Sequence, residues 1–215
     1  MSDRISRTLA IHVHTYWHAG TGRGEGPGSD ARVARTPNGL PFLPGRTVKG
    51  LVRAAVEQAL ALEWLERDID RQAIVRWFGK PLPRLSEGDA EERVREMERA
   101  EYRFQEGEGQ LRFTSARIGQ GDSVRRWEEW AEVSADKDLL FRSLASTRVD
   151  RHGVATDQSL REVEVALPMV LNALIEGPAD ERWPRALAAA LPLIRALGSG
   201  RNRGLGRASF KLESE

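Results

Sequence analysis

The sequence contains no cysteine. That excludes a disulfide scaffold, thiolate zinc sites and a cysteine nucleophile. No apolar run approaches the ~20 residues that cross a bilayer. The first residues, Met1 to Arg7, lack the apolar core of a secretory signal. We therefore expect a soluble, cytoplasmic protein with no membrane partner. Lysine is scarce: 4 lysines stand beside 29 arginines. An excess of one sign of charge is also missing. Lys+Arg total 33 against 32 Asp+Glu, a formal net charge of +1, and that total by itself argues against a polyanionic partner.

What is present changes the picture. Hydrophobic residues make up 40% of 215 residues, enough for one domain with a substantial core. The charge is unevenly placed. Residues 1–56 carry 8 basic and 3 acidic groups, residues 57–108 carry 9 and 14, residues 109–165 carry 9 and 10, and residues 166–215 carry 7 and 5. Basic ends flank an acidic block. Arginine meets phosphate bidentately and stacks on bases, so arginine-rich ends suit nucleic acid. Genome composition or thermal adaptation supplies the same bias without a function.

Leu9, Ile11 and Val13 alternate with Ala10, His12 and His14, which predicts a strand over Thr8–Tyr16. Gly20 to Ser29, with five glycines and a proline, reads as a loop. A helix is expected from Arg46 or Thr47, capped by Thr47, to about Glu66, and a second over Asp70–Phe78. Glu87 to Phe104 reads as a solvated helix, so residues 57–108 form an acidic helical insertion. Gln110–Ile118 alternates as a strand, and Ser123–Val133 suits a short helix. Ser143 to Gln158 is polar and irregular, and Leu160 to Leu167 reads as a strand ended by Pro168. Trp183–Leu197 is an Ala/Leu-rich helix that Pro192 should break. Gly198–Gly206 is a second glycine loop, and Ala208–Leu212 a last strand. The order predicts an α+β fold on an antiparallel sheet.

Two segments carry the residues for chemistry. In Gly198-Ser-Gly-Arg-Asn-Arg-Gly-Leu-Gly-Arg207, glycines let backbone N–H groups approach an anion, and Arg201, Arg203 and Arg207 add charge. The bland alternative is a tight helix-to-strand connection. It is not a P-loop, because no Gly-Lys-Ser/Thr follows. In Gly39-Leu-Pro-Phe-Leu-Pro-Gly-Arg-Thr-Val-Lys-Gly-Leu-Val-Arg53, residues Arg46, Thr47 and Lys49 fall at a helix N-terminus, which receives phosphate well. Lys49 and Arg53 share one helix face. Here too an ordinary helix start is the bland alternative.

These residues resemble the RAMP superfamily of CRISPR proteins. Leu40-Pro-Phe-Leu-Pro-Gly-Arg-Thr-Val-Lys-Gly50 is similar to its proline-glycine signature, and residues 198–207 to its C-terminal glycine-rich loop. Gln110–Ile118 is similar to its middle strand, and Thr147-Arg-Val-Asp-Arg-His-Gly-Val-Ala155 to the thumb of type III backbone subunits. The four segments occur in the family's order. The resemblance implies a single domain over residues 1–215 with a ferredoxin-like, RRM-related antiparallel sheet, helical insertions and a thumb-like insertion at about 143–160. It implies a subunit that binds guide RNA and target RNA and assembles with further copies of itself or related subunits. On it, Arg46, Thr47, Lys49, Arg53, Arg151, Arg201, Asn202, Arg203 and Arg207 are the RNA-binding candidates.

Some family members cut target RNA with one loop aspartate and a divalent metal. Asp30-Ala-Arg-Val-Ala-Arg-Thr-Pro37-Asn-Gly-Leu-Pro resembles the pattern carrying that aspartate, one residue shorter between Pro37 and Gly39. Asp30 is therefore the catalytic candidate and the ligand candidate for Mg2+. Three alternatives stay open. One is a non-catalytic structural or capping subunit. Another is a guide-precursor-processing endoribonuclease with His14 or His18 as general base. The last is an RRM-like RNA-binding protein outside CRISPR systems. His12 shares a strand face with His14, and His152 lies in the thumb-like segment. Tyr16 and Trp17 suit either base stacking or the core.

Overall fold

Leu9, Ile11 and Val13 do point to the core, on strand β1, Arg4–Val13. β1 begins before Thr8 because Arg4 to Arg7, although largely polar, pair residue for residue with Pro178 to Ile175. The computed structural model describes residues 3–20, 32–80, 108–146 and 161–213. The helix expected over Glu87–Phe104 lies outside the described residues, as do residues 147–160.

Helix α1 spans Gly45–Ala61 and buries Val48, Val52, Ala55, Val56 and Ala59. Thr47 does not cap it. Pro44 is the N-cap without a side-chain bond, and its carbonyl accepts from the N–H groups of Thr47 and Val48. The helix ends before Glu66 because Glu63 takes a left-handed backbone and Trp64 N–H turns back onto Ala59 O. Helix α2, Arg71–Phe78, starts where Asp70 accepts from Ala73 N–H at 2.7 Å.

The strand expected over Gln110–Ile118 is two short ones, β2 (Arg112–Phe113) and β3 (Arg117–Ile118). Leu111, Phe113, Ala116 and Ile118 face the core, so alternation slips by one residue between Phe113 and Ala116. That slip is a bulge. Helix α3 follows at Asp122–Val133. Strands β4 (Phe141–Ser146) and β5 (Arg161–Ala166) form a separate antiparallel pair. Ser143 to Ser146, the later part of β4, fall in the stretch that reads as polar and irregular. Strand β6, Met169–Pro178, has no counterpart in the sequence reading. Its core residues Leu171, Ala173 and Ile175 alternate with Val170 and Leu174 on the other face, so apolar residues on both faces mask the period. Helix α4, Arg182–Ala190, breaks into a 3-10 turn at Leu191–Leu193 around Pro192, as predicted. Strand β7 is Ala208–Leu212.

In space the main sheet runs β2-β6-β1-β7, with β3 also on β6, and every pairing is antiparallel. Leaving out β4 and β5, the chain order is β1, helices α1 and α2, the short strands β2 and β3, helix α3, β6, helix α4 and β7. The fold is therefore α+β, as expected. Residues of α1, α2 and α4 join one sheet face in a single core that includes Trp77, Trp183 and Leu187. The opposite face presents Thr8, Ala10, His12, Asn172, Leu174, Ser209 and Lys211.

Candidate nucleic-acid interface

The glycine loop is built onto the end of β1. His14 N–H donates to Arg207 O at 2.7 Å, Gly206 N–H to Tyr16 O at 2.7 Å, and Ser199 N–H to His18 O at 2.8 Å. Thr15 Oγ1 donates to Gly204 O at 3.1 Å and accepts from Arg207 N–H at 3.0 Å. The backbone of residues 14–18 thus holds both sides of the loop. At its tip, Arg201–Arg203 form one 3-10 turn. Arg201, Asn202, Arg203 and Arg207 are all exposed. None of the three arginines has an ion pair among the described residues. A hydrogen-bonded turn whose guanidinium groups have no ion pair among the described residues is a ready contact for a phosphate chain.

Gly206 makes the turn possible. Its φ is 68°, and a Cβ there would collide with Leu197 O. Gly206→Ala should cost roughly 1–3 kcal/mol of stability. A lowered denaturation midpoint would record that cost, and an unchanged midpoint would show that the turn relaxes freely.

The second cluster begins at Gly45. Its N–H donates to Ser115 Oγ at 3.2 Å, and a Cβ would come within 2.6 Å of Phe113 O. The proline-glycine segment therefore needs glycine where α1 touches the β2–β3 bulge. The first turn of α1 carries no acidic residue, so its positive end is not neutralised locally. Lys49 is half-buried and makes no ion pair or hydrogen bond among the described residues. Burial holds its pKa below the ordinary lysine value, with Arg53 adding to the effect and Glu108 opposing it. An arriving phosphate would offset both penalties. Arg53 is engaged, with Nε 2.8 Å from Glu57 Oε1. The two clusters are seated at opposite edges of the sheet, one on β2–β3 and the other beside β7.

Between the segment of Arg32 and Arg35 and the β4–β5 pair lies a cleft of about 320 Å³, lined also by Asp138, Phe141, Arg142 and Glu164. Asp30 and Arg151 themselves lie outside the described residues, as does His152, and the described chain resumes at Arg32. Among the described residues no group of three or more His, Asp or Glu side chains assembles as a metal site. Trp17 is core: it is fully buried, pairs its backbone with Ala166, and donates Nε1–H to Leu167 O at 2.9 Å. Tyr16 stays exposed. His18 is buried, and its Nδ1 sits 2.7 Å from Glu164 O, a contact only a protonated Nδ1 can make. His14 is exposed, with Nε2 2.9 Å from Ser209 Oγ. Glu164 alternates with Val163 and Val165 in sequence, but its partners lie about 130 residues away in the chain, out of reach of any local pattern.

A family model described as the RAMP superfamily matches residues 10–210. No curated protein matches the sequence. Among solved structures, a chain from the cryo-EM structure of the type III-B Cmr-beta bound to cognate target RNA is similar, with a TM-score of 0.63 and 10% identity over 97% of both chains. At that identity the likeness is one of fold. No helix among the described residues is long and apolar enough to cross a membrane.

Proposed function

Because the chain belongs to the RAMP superfamily, we propose that it is a guide-RNA-binding backbone subunit of a type III-like CRISPR ribonucleoprotein that cuts bound target RNA. The observation that carries the reading is the glycine turn: a hydrogen-bonded base on residues 14–18 and a tip of exposed, unpaired arginines. Arg201, Asn202, Arg203 and Arg207 contact the guide backbone from that turn. Arg46, Thr47, Lys49 and Arg53 contact it from the start of α1, and Arg151 from the thumb-like segment. The antiparallel sheet order β2-β6-β1-β7, with α1 and α2 following β1 and α4 following β6, supports the ferredoxin-like assignment.

Asp30 cuts the target. A lone carboxylate fits a hydrated Mg2+, which keeps most of its waters and takes one or two carboxylates. Asp30 would hold the ion, which would supply neutralisation of charge at the scissile phosphate. The chain's own part is to hold the RNA in line, so that the neighbouring 2′-hydroxyl attacks phosphorus as the P–O5′ bond breaks, leaving a 2′,3′-cyclic phosphate and a 5′-hydroxyl end that takes up the proton. Fellow RAMP subunits are the other partners. In EDTA the assembled complex should bind target RNA and leave it uncut, and adding Mg2+ should restore cutting. Cutting in EDTA would point instead to guide-precursor processing by a histidine such as His14.

Two observations weigh against the alternatives. Among the described residues, the open sheet face from Thr8 and His12 to Asn172 and Lys211 presents no Phe, Tyr or Trp, the side chains on which an RRM-type RNA binder stacks bases. His18 is buried, 5% exposed, which leaves its imidazole little access to RNA.

A further inference from the structure

A cavity of about 600 Å³ opens where the start of α3 meets the open face of the main sheet. Thr8, Asn172 and Leu174 line it from that face, Thr114 and Ser115 from the β2–β3 bulge, and Gln120 and Val124 from the start of α3. Its polar groups are only half used. Asn172 donates Nδ2–H to Gly119 O at 3.0 Å, and Gln120 donates Nε2–H to Thr8 Oγ1 at 3.2 Å and to Glu213 Oε2 at 3.1 Å. The amide oxygens Asn172 Oδ1 and Gln120 Oε1 therefore stay open as acceptors, with no partner among the described residues. The hydroxyls of Thr114 and Ser115 accept Leu174 N–H at 2.8 Å and Gly45 N–H at 3.2 Å, so each keeps its own proton to donate.

The turn that carries Gln120 is fixed. Ser123 Oγ accepts Gln120 N–H at 2.6 Å and donates back to Gln120 O at 2.8 Å. Val124 and Leu174 add apolar surface beside these groups. Arg117 adds N–H donors; its side chain is 46% exposed and 3.6 Å from Glu128 Oε1. Open acceptors, open hydroxyl donors and an apolar flank suit a ligand that is itself donor, acceptor and flat. A ribonucleoside is such a ligand, with hydroxyls on the sugar, mixed groups on the base edge and apolar base faces. The position supports the match. Ser115 both lines the cavity and holds Gly45 at the start of α1, the end that carries Arg46 and Lys49.

We propose that this cavity is a nucleoside subsite: it takes the ribose and base of one guide-RNA nucleotide whose phosphate is held at the start of α1. The proposal rests on the reading that α1 binds guide RNA. Phosphate contacts carry no base information, whereas hydrogen bonds to a base edge do. The subsite therefore adds contact that salt does not screen.

The test uses the full chain with guide RNA. Val124→Phe fills the cavity and removes no polar group and no charge. It should weaken guide binding by about tenfold, the scale of one or two lost hydrogen bonds. The slope of log K against log salt should stay at its wild-type value, because no phosphate contact is lost. Lys49→Ala should instead lower that slope. In a second measurement, photoreactive thiouridine is moved through the guide. One position should crosslink to the peptide Thr114–Val124, and Val124→Phe should reduce that crosslink. Wild-type affinity in Val124→Phe, or no crosslink to this peptide from any position, would overturn the proposal. If Val124→Phe lowers the denaturation midpoint, the wild-type crosslink alone decides. If Lys49→Ala keeps the wild-type slope, the reading of α1 fails, and the crosslink still decides whether the cavity holds a nucleoside.

Discussion

Asp30→Ala is expected to slow Mg2+-dependent cleavage of target RNA by roughly 10²–10³-fold, the scale of losing one group that stabilises transition-state charge. Guide and target affinity should not change, because phosphate contacts elsewhere hold the RNA. Asp30→Asn should fail almost as badly, since the amide keeps the shape and loses the charge that holds a hydrated cation. Rate and affinity must be measured on the same assembled complex. A loss confined to the rate assigns Asp30 to chemistry. Wild-type cleavage by Asp30→Ala would remove it from the mechanism and leave a structural RAMP subunit. Of the three carboxylates that line the described cleft, Arg35 engages two, Glu164 at 2.6 Å and Asp138 at 3.3 Å, and the third, Glu162, accepts from Ser143 Oγ at 3.2 Å.

The second large effect is on binding. Replacing Lys49, Arg201 and Arg203 together by alanine should weaken guide RNA binding and flatten its salt dependence. Each lost phosphate contact removes about 0.7 from the slope of log K against log salt for a single strand, so the triple variant should lose about 2. The three were chosen for their freedom: none has an ion pair among the described residues, whereas Arg53 is held by Glu57. Because Lys49 and the arginines are seated on opposite edges of the sheet, single replacements should act additively. A slope identical to wild type would show that the RNA runs elsewhere. Arg53→Ala should have a smaller effect than any of the three, because its charge is already partly neutralised.

Local signals in the sequence were the ones that could be read. The alternation of Leu9, Ile11 and Val13, the helix read over Asp70–Phe78, the break at Pro192 and the final strand all rest on residues a few positions apart, and the structure has each of them. Non-local features were harder. Strand β6 went unseen because Val170 and Leu174 place apolar side chains on its open face, and Pro168, read as a terminator, stands in the turn before it. The bulge between β2 and β3 appears in the sequence as simple alternation. It becomes visible only when Ala116 bonds Leu43 and Ser115 receives Gly45 N–H. Thr47 looked like a cap because threonine often is one, yet Pro44 supplies the required backbone one turn earlier. For the site, composition located the two clusters, and motif resemblance singled out Asp30. The Glu164–Arg35 contact joins residues 129 positions apart, and no single-sequence pattern reports such a pair.

The central claim is that this chain holds a guide RNA within an assembly of RAMP subunits. The most direct measurement is to purify the protein from its native cells under mild salt and sequence the RNA that accompanies it. The account predicts small RNAs with uniform, repeat-derived ends, lost from the Lys49, Arg201 and Arg203 triple-alanine variant. Protein free of RNA, or bound to fragments of random cellular transcripts, would contradict it.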